Sequence, residues 1–315
     1  MMPNLFGRRS VILIALAVVM AVLPLLFPSS YYFRVASLVW VSALAAIGLN
    51  ILMGKAGQVS LGHAGFFGIG AYAVAIGPAH LGLNALLAVL VGALLSALLA
   101  FLVGRPILRL KGHYLAIATL GLGVLVAMVI TTESGWTGGP DGMPVPKLSL
   151  FGWRISGSNT WYWITAGLLL IGTWFALNLD DTPTGRAFRA LHDSEIAART
   201  AGVHVERFKL QAFVIAAVYA SIAGSALAMM NGFVNPDQAG FLHSVELVTM
   251  VVLGGLGSIV GSIVGAAVLV VLPQLLTVFQ DYEHFLLGLI IIVSMIFMRD
   301  GMVPMLAKLT MRARR

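Results

Sequence analysis

Long apolar runs separated by short polar turns make up most of this chain. A helix needs about 20 predominantly apolar residues to cross roughly 30 Å of hydrocarbon, and most of the runs approach or reach that length. The pattern predicts spans at Val11–Phe27, Phe33–Met53, Gly54–Ile76, Leu83–Val103, Gly112–Thr131, Trp161–Leu179, Leu210–Met230 and Phe285–Met298. The basic residues before the first run resemble a secretion signal. That run is longer than a usual signal core, so we interpret it as a retained span.

The stretch Val245–Leu276 is also apolar, but glycines interrupt it at 254–265. It could form one long tilted span or two short ones, and the charges favour two. With two crossings here and both termini in the cytoplasm, all 19 Lys and Arg residues except Arg34, Lys147 and Arg154 lie on the cytoplasmic side, as the positive-inside rule expects. The sequence therefore predicts an all-α polytopic membrane protein with about ten membrane-embedded helical segments. One pair could be a re-entrant hairpin.

Composition supports the membrane assignment and excludes some partners. The chain is 59% hydrophobic and 10% charged, whereas soluble domains carry about 25% charged residues. Lipid must therefore be its main solvent. A net charge of +7 would suggest nucleic acid in a soluble protein, but basic cytoplasmic loops explain it here, and we expect no nucleic-acid partner. Because the chain has no cysteine, disulfides and thiolate chemistry are excluded.

The sequence lacks recognisable motifs for catalysis or metal binding. Gly48–Lys55 approaches a P-loop, but its spacing is wrong and Ala56 stands where a Ser or Thr would bind magnesium. The seven histidines have no paired-ligand spacing. We therefore expect a transport subunit without catalytic residues, metal or cofactor, rather than an enzyme or a purely structural subunit.

Carboxylates are placed mainly at the ends of the predicted spans or in loops. Glu246, at the start of a predicted span, is the nearest to an exception. Ion-coupled carriers usually keep ionisable residues within their spans. The pattern therefore argues against an ion-coupled secondary transporter, and it favours energy supplied by a docked partner.

The longest polar segment is Asp180–Lys209, and its pattern predicts two short helices. Ala187, Phe188 and Leu191 share one face of the first helix. The residues that could start or stop these helices are Thr182 or Thr184 with Pro183, then Asp193 or Ser194, and finally Gly202. Such a pair on a membrane face would form a docking surface. The alternative is an ordinary solvated loop.

Glycines and polar residues interrupt the start of the third apolar run. Gln58, Ser60 and His63 lie in this break, and such a sequence is tolerated in a membrane only where it packs in protein or lines a water-filled cavity. Together with Thr119, they are candidates for a substrate pathway. The alternative is that these polar groups tie helices together by hydrogen bonds. The second glycine-rich break, at 254–265, gives a weak indication of an internal repeat.

Five stretches together resemble one family, and they extend over nearly the whole chain. They are Glu195–Phe213, Gly57–Tyr72, Lys111–Leu120, Thr137–Gly142 and Val251–Ser262. The first resembles the cytoplasmic coupling loop of ATP-binding cassette (ABC) importer permeases. The set resembles the LivM-type permeases of branched-chain amino acid transporters.

This resemblance implies a single permease domain over residues 1–315, with a cytoplasmic coupling loop at 180–209 and a periplasmic loop at 132–160. The implied partners are a second, LivH-type permease subunit, two cytoplasmic ATPase subunits that hydrolyse the ATP, a periplasmic substrate-binding protein and the lipid bilayer. The implied location is the bacterial inner membrane. Leucine, isoleucine and valine are the implied substrates, and urea or short-chain amides are the alternatives.

The resemblance also assigns contacts with the ATPase to Glu195, Ala197, Ala198 and Gly202. Importer coupling loops read Glu-Ala-Ala, then three residues, then Gly. This chain keeps the spacing of the two alanines and the glycine. Ile196 stands directly before the alanines, so the acid is displaced by one position.

Overall fold

The computed structural model describes residues 5–147, 149–150, 153–154 and 156–276, with Gly288, Ile292, 301–303 and Met305 beyond them. The α-helices are α1 (Leu5–Val22), α2 (Ser30–Asn50), α3 (His63–Leu81), α4 (Ala85–Ile107), α5 (His113–Thr132), α6 (Ser134–Thr137), α7 (Ser158–Asp181), α8 (Pro183–Asp193), α9 (Glu195–Thr200), α10 (Val205–Asn231), α11 (Phe241–Gly254) and α12 (Ile259–Leu276). A π-helix continues α2 over Ile51–Lys55. The 3₁₀ helices are Leu23–Leu26, Gly139–Asp141 and Pro236–Ala239.

Eight helices in the described ranges are long and apolar enough to cross a membrane, and α11 is a shorter apolar helix of 14 residues. This confirms the predicted class of a helical polytopic membrane protein. The predicted last span, Phe285–Met298, lies outside the described residues apart from Gly288 and Ile292. The total of ten segments and the cytoplasmic location of the termini therefore remain predictions.

Short strands qualify the all-α description. The antiparallel pair β1 (Met143–Pro144) and β4 (Phe233–Val234) joins the loop after α5 to the turn after α10. A second pair, β2 (Ser149–Leu150) and β3 (Trp153–Arg154), forms a hairpin. Each strand has two residues, which is too short to show an alternating pattern in the sequence.

The stretch Val245–Leu276 forms two antiparallel helices, as the charge distribution predicted. A Cβ added to Gly254 would lie 1.9 Å from the carbonyl oxygen of Gly261, and one added to Gly265 would lie 1.9 Å from that of Met250. Only glycine permits so close an approach of two backbones. Helices α11 and α12 therefore cross at Gly254, Gly261 and Gly265.

Asn50, at the end of α2, holds the turn between α11 and α12. Its Nδ2 donates to the carbonyl oxygen of Ser258 at 2.9 Å and to Oγ of Ser262 at 2.7 Å. Its Oδ1 accepts from the backbone N–H of Gly257 at 2.8 Å. Because Gly54 also packs directly against Gly257, the two glycine-rich breaks of the sequence are in contact.

The centre of the bundle is formed by α2, α3 and α10, whose facing residues are small. A Cβ on Gly70 would lie 1.9 Å from the carbonyl oxygen of Ser221, and one on Gly224 would lie 1.9 Å from that of Phe67. Close packing of this kind replaces the hydrophobic effect as the main source of helix association in lipid.

Ion pairs place several helix ends on one face of the bundle. Arg9 pairs with Asp181, and Lys55 pairs with Asp180. The start of α1, the π-helix and the end of α7 therefore meet on what we call the charged face. At the opposite end of the bundle, the hydroxyl of Tyr31 near the start of α2 donates to Gln274 near the end of α12. Gly301 packs against Gly255, in the turn before the first residue of α12.

Candidate functional site

The polar segment on the charged face forms the two predicted helices, α8 and α9. Thr182 caps α8 by accepting a hydrogen bond from the N–H of Gly185 at 3.2 Å, with Pro183 in the first turn. Ser194 caps α9 by accepting from the N–H of Ala197 at 3.2 Å. Gly202, with φ of 83°, ends α9 in the left-handed conformation that favours glycine. Of the predicted alternatives, Thr182 rather than Thr184 caps α8, Ser194 rather than Asp193 caps α9, and the predicted stop at Gly202 is confirmed.

One side of this helix pair packs inward. The predicted apolar face of α8 is buried, with Ala187, Phe188 and Leu191 at 7%, 1% and 3% exposure. Leu191 forms a small cluster with Ala198 of α9 and Val205 of α10. The cluster fixes α8 and α9 to the first turn of α10, so the pair is a packed unit rather than a solvated loop.

The other side of α9 is open, and it carries Ile196 and Ala197 beside the polar residues Arg199 and Thr200. Ile196 is 77% exposed. Ala197 and Gly202 are also exposed, and a Cβ on Gly202 would meet nothing within 4 Å among the described residues. We call Ile196, Ala197 and Gly202 the docking face. Ala198, at 2% exposure, does not belong to it.

Glu195 points inward, towards the bundle. Its carboxylate forms an ion pair with Lys209 of α10, whose side chain is only 4% exposed. The Nε2 of Gln58 lies 3.4 Å from the same carboxylate and donates to it. Glu195 therefore joins α9 both to α10 and to the break before α3.

Replacing Glu195 by Gln is expected to destabilise the subunit, because it leaves the ammonium group of Lys209 buried without a counter-ion. We expect a loss of about 2–3 kcal/mol in the free energy of unfolding, less than the roughly 3–5 kcal/mol for a fully buried pair, because the Glu195 side chain is 30% exposed. Thermal unfolding of the purified subunit measures this loss, and the double variant with Lys209→Gln should recover most of it. If Glu195→Gln leaves the unfolding temperature unchanged but abolishes uptake, the carboxylate acts on a partner instead.

The break before α3 is an irregular segment over residues 56–62 between the π-helix and α3. The N–H of Gln58 donates to the carbonyl oxygen of Leu52 at 3.0 Å. A Cβ on Gly57 would lie 3.3 Å from the Cα of His192, at the end of α8. Both α8 and α9 therefore contact the break directly.

The four candidate pathway residues are all buried in this conformation. Gln58, Ser60, His63 and Thr119 are 4%, 1%, 0% and 2% exposed. Thr119 accepts a hydrogen bond from the N–H of Leu61 at 3.1 Å and donates to the carbonyl oxygen of Ala116 at 2.9 Å. Thr119 thus joins the break to α5. This fits the alternative that the polar groups hold helices together by hydrogen bonds.

His63 begins α3, and its ring meets that of Phe66 edge-on at 5.8 Å between centroids. The Oγ of Ser60 has no hydrogen-bond partner among the described residues. The structure therefore brings the four candidates to one region around the break, but it gives them no open surface within this chain.

Sequence reasoning missed three residues that organise this region: Asn50, Lys55 and Lys209. All three are polar residues near helix ends on or next to the charged face. Polar residues at the ends of apolar runs are common in membrane proteins, so their position alone did not distinguish them from ordinary interfacial residues.

Comparison with known proteins shows the family. Residues 31–295 match the family described as branched-chain amino acid transport system / permease component. The high-affinity branched-chain amino acid transport system permease proteins LivM of Salmonella typhimurium and Escherichia coli are 34% and 35% identical to the chain. Each match covers 95% of this chain and 76% of the relative.

Another relative carries a different name. The autoinducer 2 import system permease protein LsrC of an Enterobacter species is 30% identical over 89% of this chain and 83% of its own length. No solved structure matches the chain. The family match covers far more than half of the residues, and the chain belongs to the family of branched-chain amino acid transport system permease components.

Proposed function

We propose that this chain is the permease subunit of an ABC importer that carries leucine, isoleucine and valine across the bacterial inner membrane. The observation that carries the proposal is the similarity to two LivM proteins over 95% of the chain. The bundle of long apolar helices fits a membrane pathway.

Energy would come from two separate ATPase subunits bound at the charged face. The docking face of α9 exposes the aliphatic side chain of Ile196, which would gain by burial in a partner. A docked partner can drive transport only if it binds two states of the permease differently. Contacts of α8 with Gly57, and of Glu195 with Gln58, would pass a movement of the helix pair to the break before α3.

The remaining subunits would be a second, LivH-type permease and a periplasmic substrate-binding protein. The opposite face of the bundle, where β1 and β4 join two connections, is the surface that we propose for the binding protein. For Gln58 and Thr119 we favour the helix-tying role, because both are buried and hydrogen-bonded. Substrate contact by Ser60 or His63 would require the break to open.

The substrate class can be tested with the complete transporter. The chain would be purified with its partner permease, ATPase and binding-protein subunits and reconstituted in liposomes. ATP-dependent uptake of labelled leucine should be blocked by excess isoleucine or valine, and excess urea or acetamide should have no effect. If urea or acetamide blocks the uptake and isoleucine and valine do not, the result would favour urea or short-chain amides as substrates. The relatives named for autoinducer 2 import show that the family serves other solutes.

A further inference from the structure

Glu246 lies within an apolar helix rather than at its start, which the sequence pattern did not show. Helix α11 begins at Phe241, so Glu246 is in its second turn and not at the start of a span. At a rise of 1.5 Å per residue, it lies about 7 Å from the first residue of α11 and about 12 Å from the last.

The start of α11 is itself packed within the bundle. The N–H of Ala64, in the first turn of α3, donates to Oγ of Ser244 at 3.0 Å. The ring of His243 lies 4.7 Å from that of Phe67. At its other end, α11 crosses α12 at Gly254 and Gly261. Glu246 is therefore placed between the two packed ends of α11, a helix that the sequence predicts to be embedded in the membrane.

The side chain of Glu246 nevertheless points away from the bundle, with 62% of it exposed. A carboxylate facing hydrocarbon in the membrane interior costs several kcal/mol, and intramembrane acids almost always face protein or a water-filled cavity. Leu125 and Met128 of α5, also about 60% exposed, can face lipid without this cost. The exposed face of α11 therefore cannot be a lipid-facing surface.

One oxygen of the carboxylate is held in place. The Nδ1 of His243, one turn earlier, lies 3.1 Å from Oε2 of Glu246. This contact joins the two side chains within one turn of α11. No Lys or Arg in the described part of the chain pairs with Glu246. The other oxygen is thus available to a cation from outside this chain.

The surface around this oxygen has aliphatic character. Leu242 and Val245, on the same exposed side of α11, are 76% and 37% exposed. A negative oxygen beside aliphatic side chains matches a ligand that carries an ammonium group next to a branched alkyl chain.

We infer that the exposed face of α11 lines the translocation pathway, and that the carboxylate of Glu246 receives the α-ammonium group of the amino acid as it passes. The inference rests on the proposed function, since it requires an amino-acid substrate. His243 is a positioning residue that fixes the carboxylate, and Phe67 supports its ring from α3.

The first test is Glu246→Gln in the complete reconstituted transporter. The neutral amide should lower ATP-dependent leucine uptake at least tenfold, and Glu246→Asp should retain part of the activity. Glu133→Gln changes an exposed carboxylate just after α5 and should transport normally. Uptake by the unaltered complex tests the proposed function separately, because it does not depend on Glu246. Normal uptake by Glu246→Gln would overturn the inference.

The second test measures access by water. Since the chain has no cysteine, Glu246→Cys introduces a single thiol, to be studied with cysteine-free partner subunits. It should react with a membrane-impermeant methanethiosulfonate. Leu247→Cys, at a position with 0% exposure, should not react. The inference is wrong if the Glu246→Cys thiol is inert, or if Glu246→Gln loses the second permease on purification, which would indicate an interface ion pair.

Discussion

Replacing Ala197 by Glu is expected to abolish ATP-driven uptake while the subunit still inserts and folds. Ala197 is exposed on the docking face, so the longer side chain has room in the isolated chain. In the assembled transporter the carboxylate would be buried without a partner charge, which costs about 3 kcal/mol or more. That corresponds to a loss of ATPase affinity of about 100-fold. Leucine uptake and co-purification of the ATPase measure the effect.

Two variants serve as controls for this prediction. Ala197→Ser keeps a small side chain and should transport like the unaltered protein. Ala198→Glu places the charge at a position that is 2% exposed, in the cluster with Leu191 and Val205. It should lower the unfolding temperature as well as uptake. Wild-type uptake in Ala197→Glu would contradict docking through this face of α9.

Replacing Asn50 by Leu is expected to give the largest loss of stability. The side chain of Asn50 makes hydrogen bonds to Gly257, Ser258 and Ser262, and it is 1% exposed. A leucine of similar size would leave buried backbone groups of the turn between α11 and α12 unpaired, at about 1–3 kcal/mol for each group. We expect a total of about 3 kcal/mol or more, measured by thermal unfolding of the purified subunit.

Asn84→Ala is the matched control. Asn84 caps α4 at an exposed position, with one hydrogen bond to the N–H of Leu86 at 3.3 Å, so its loss should cost about 1 kcal/mol or less. Equal unfolding temperatures for the two variants would mean that Asn50 does not hold the turn.

The sequence was most informative where local chemistry decides the structure. Capping residues predicted both helices of the polar segment, because a side-chain oxygen at a helix start and a glycine at its end act within a few residues. The distribution of Lys and Arg predicted that Val245–Leu276 forms two helices, because a single crossing would place the basic C-terminal residues outside the cytoplasm, against the positive-inside rule.

Contacts between distant segments were not predictable in this way. Glu195 was assigned to docking from its position in a motif, yet its side chain pairs with Lys209. Glu246 was placed at a span end, because the polar residues before it hid the true start of α11 at Phe241. In each case the direction of the side chain depends on helix packing, which a linear pattern does not contain.

The central claim is that this chain provides a pathway and no energy source of its own. The most direct measurement is concentrative uptake of labelled leucine into liposomes that contain both permease subunits, the binding protein and an imposed proton or sodium gradient, with and without the ATPase subunits and ATP. We expect accumulation above the external concentration only when the ATPases and ATP are present. Accumulation driven by the ion gradient in their absence would contradict the account.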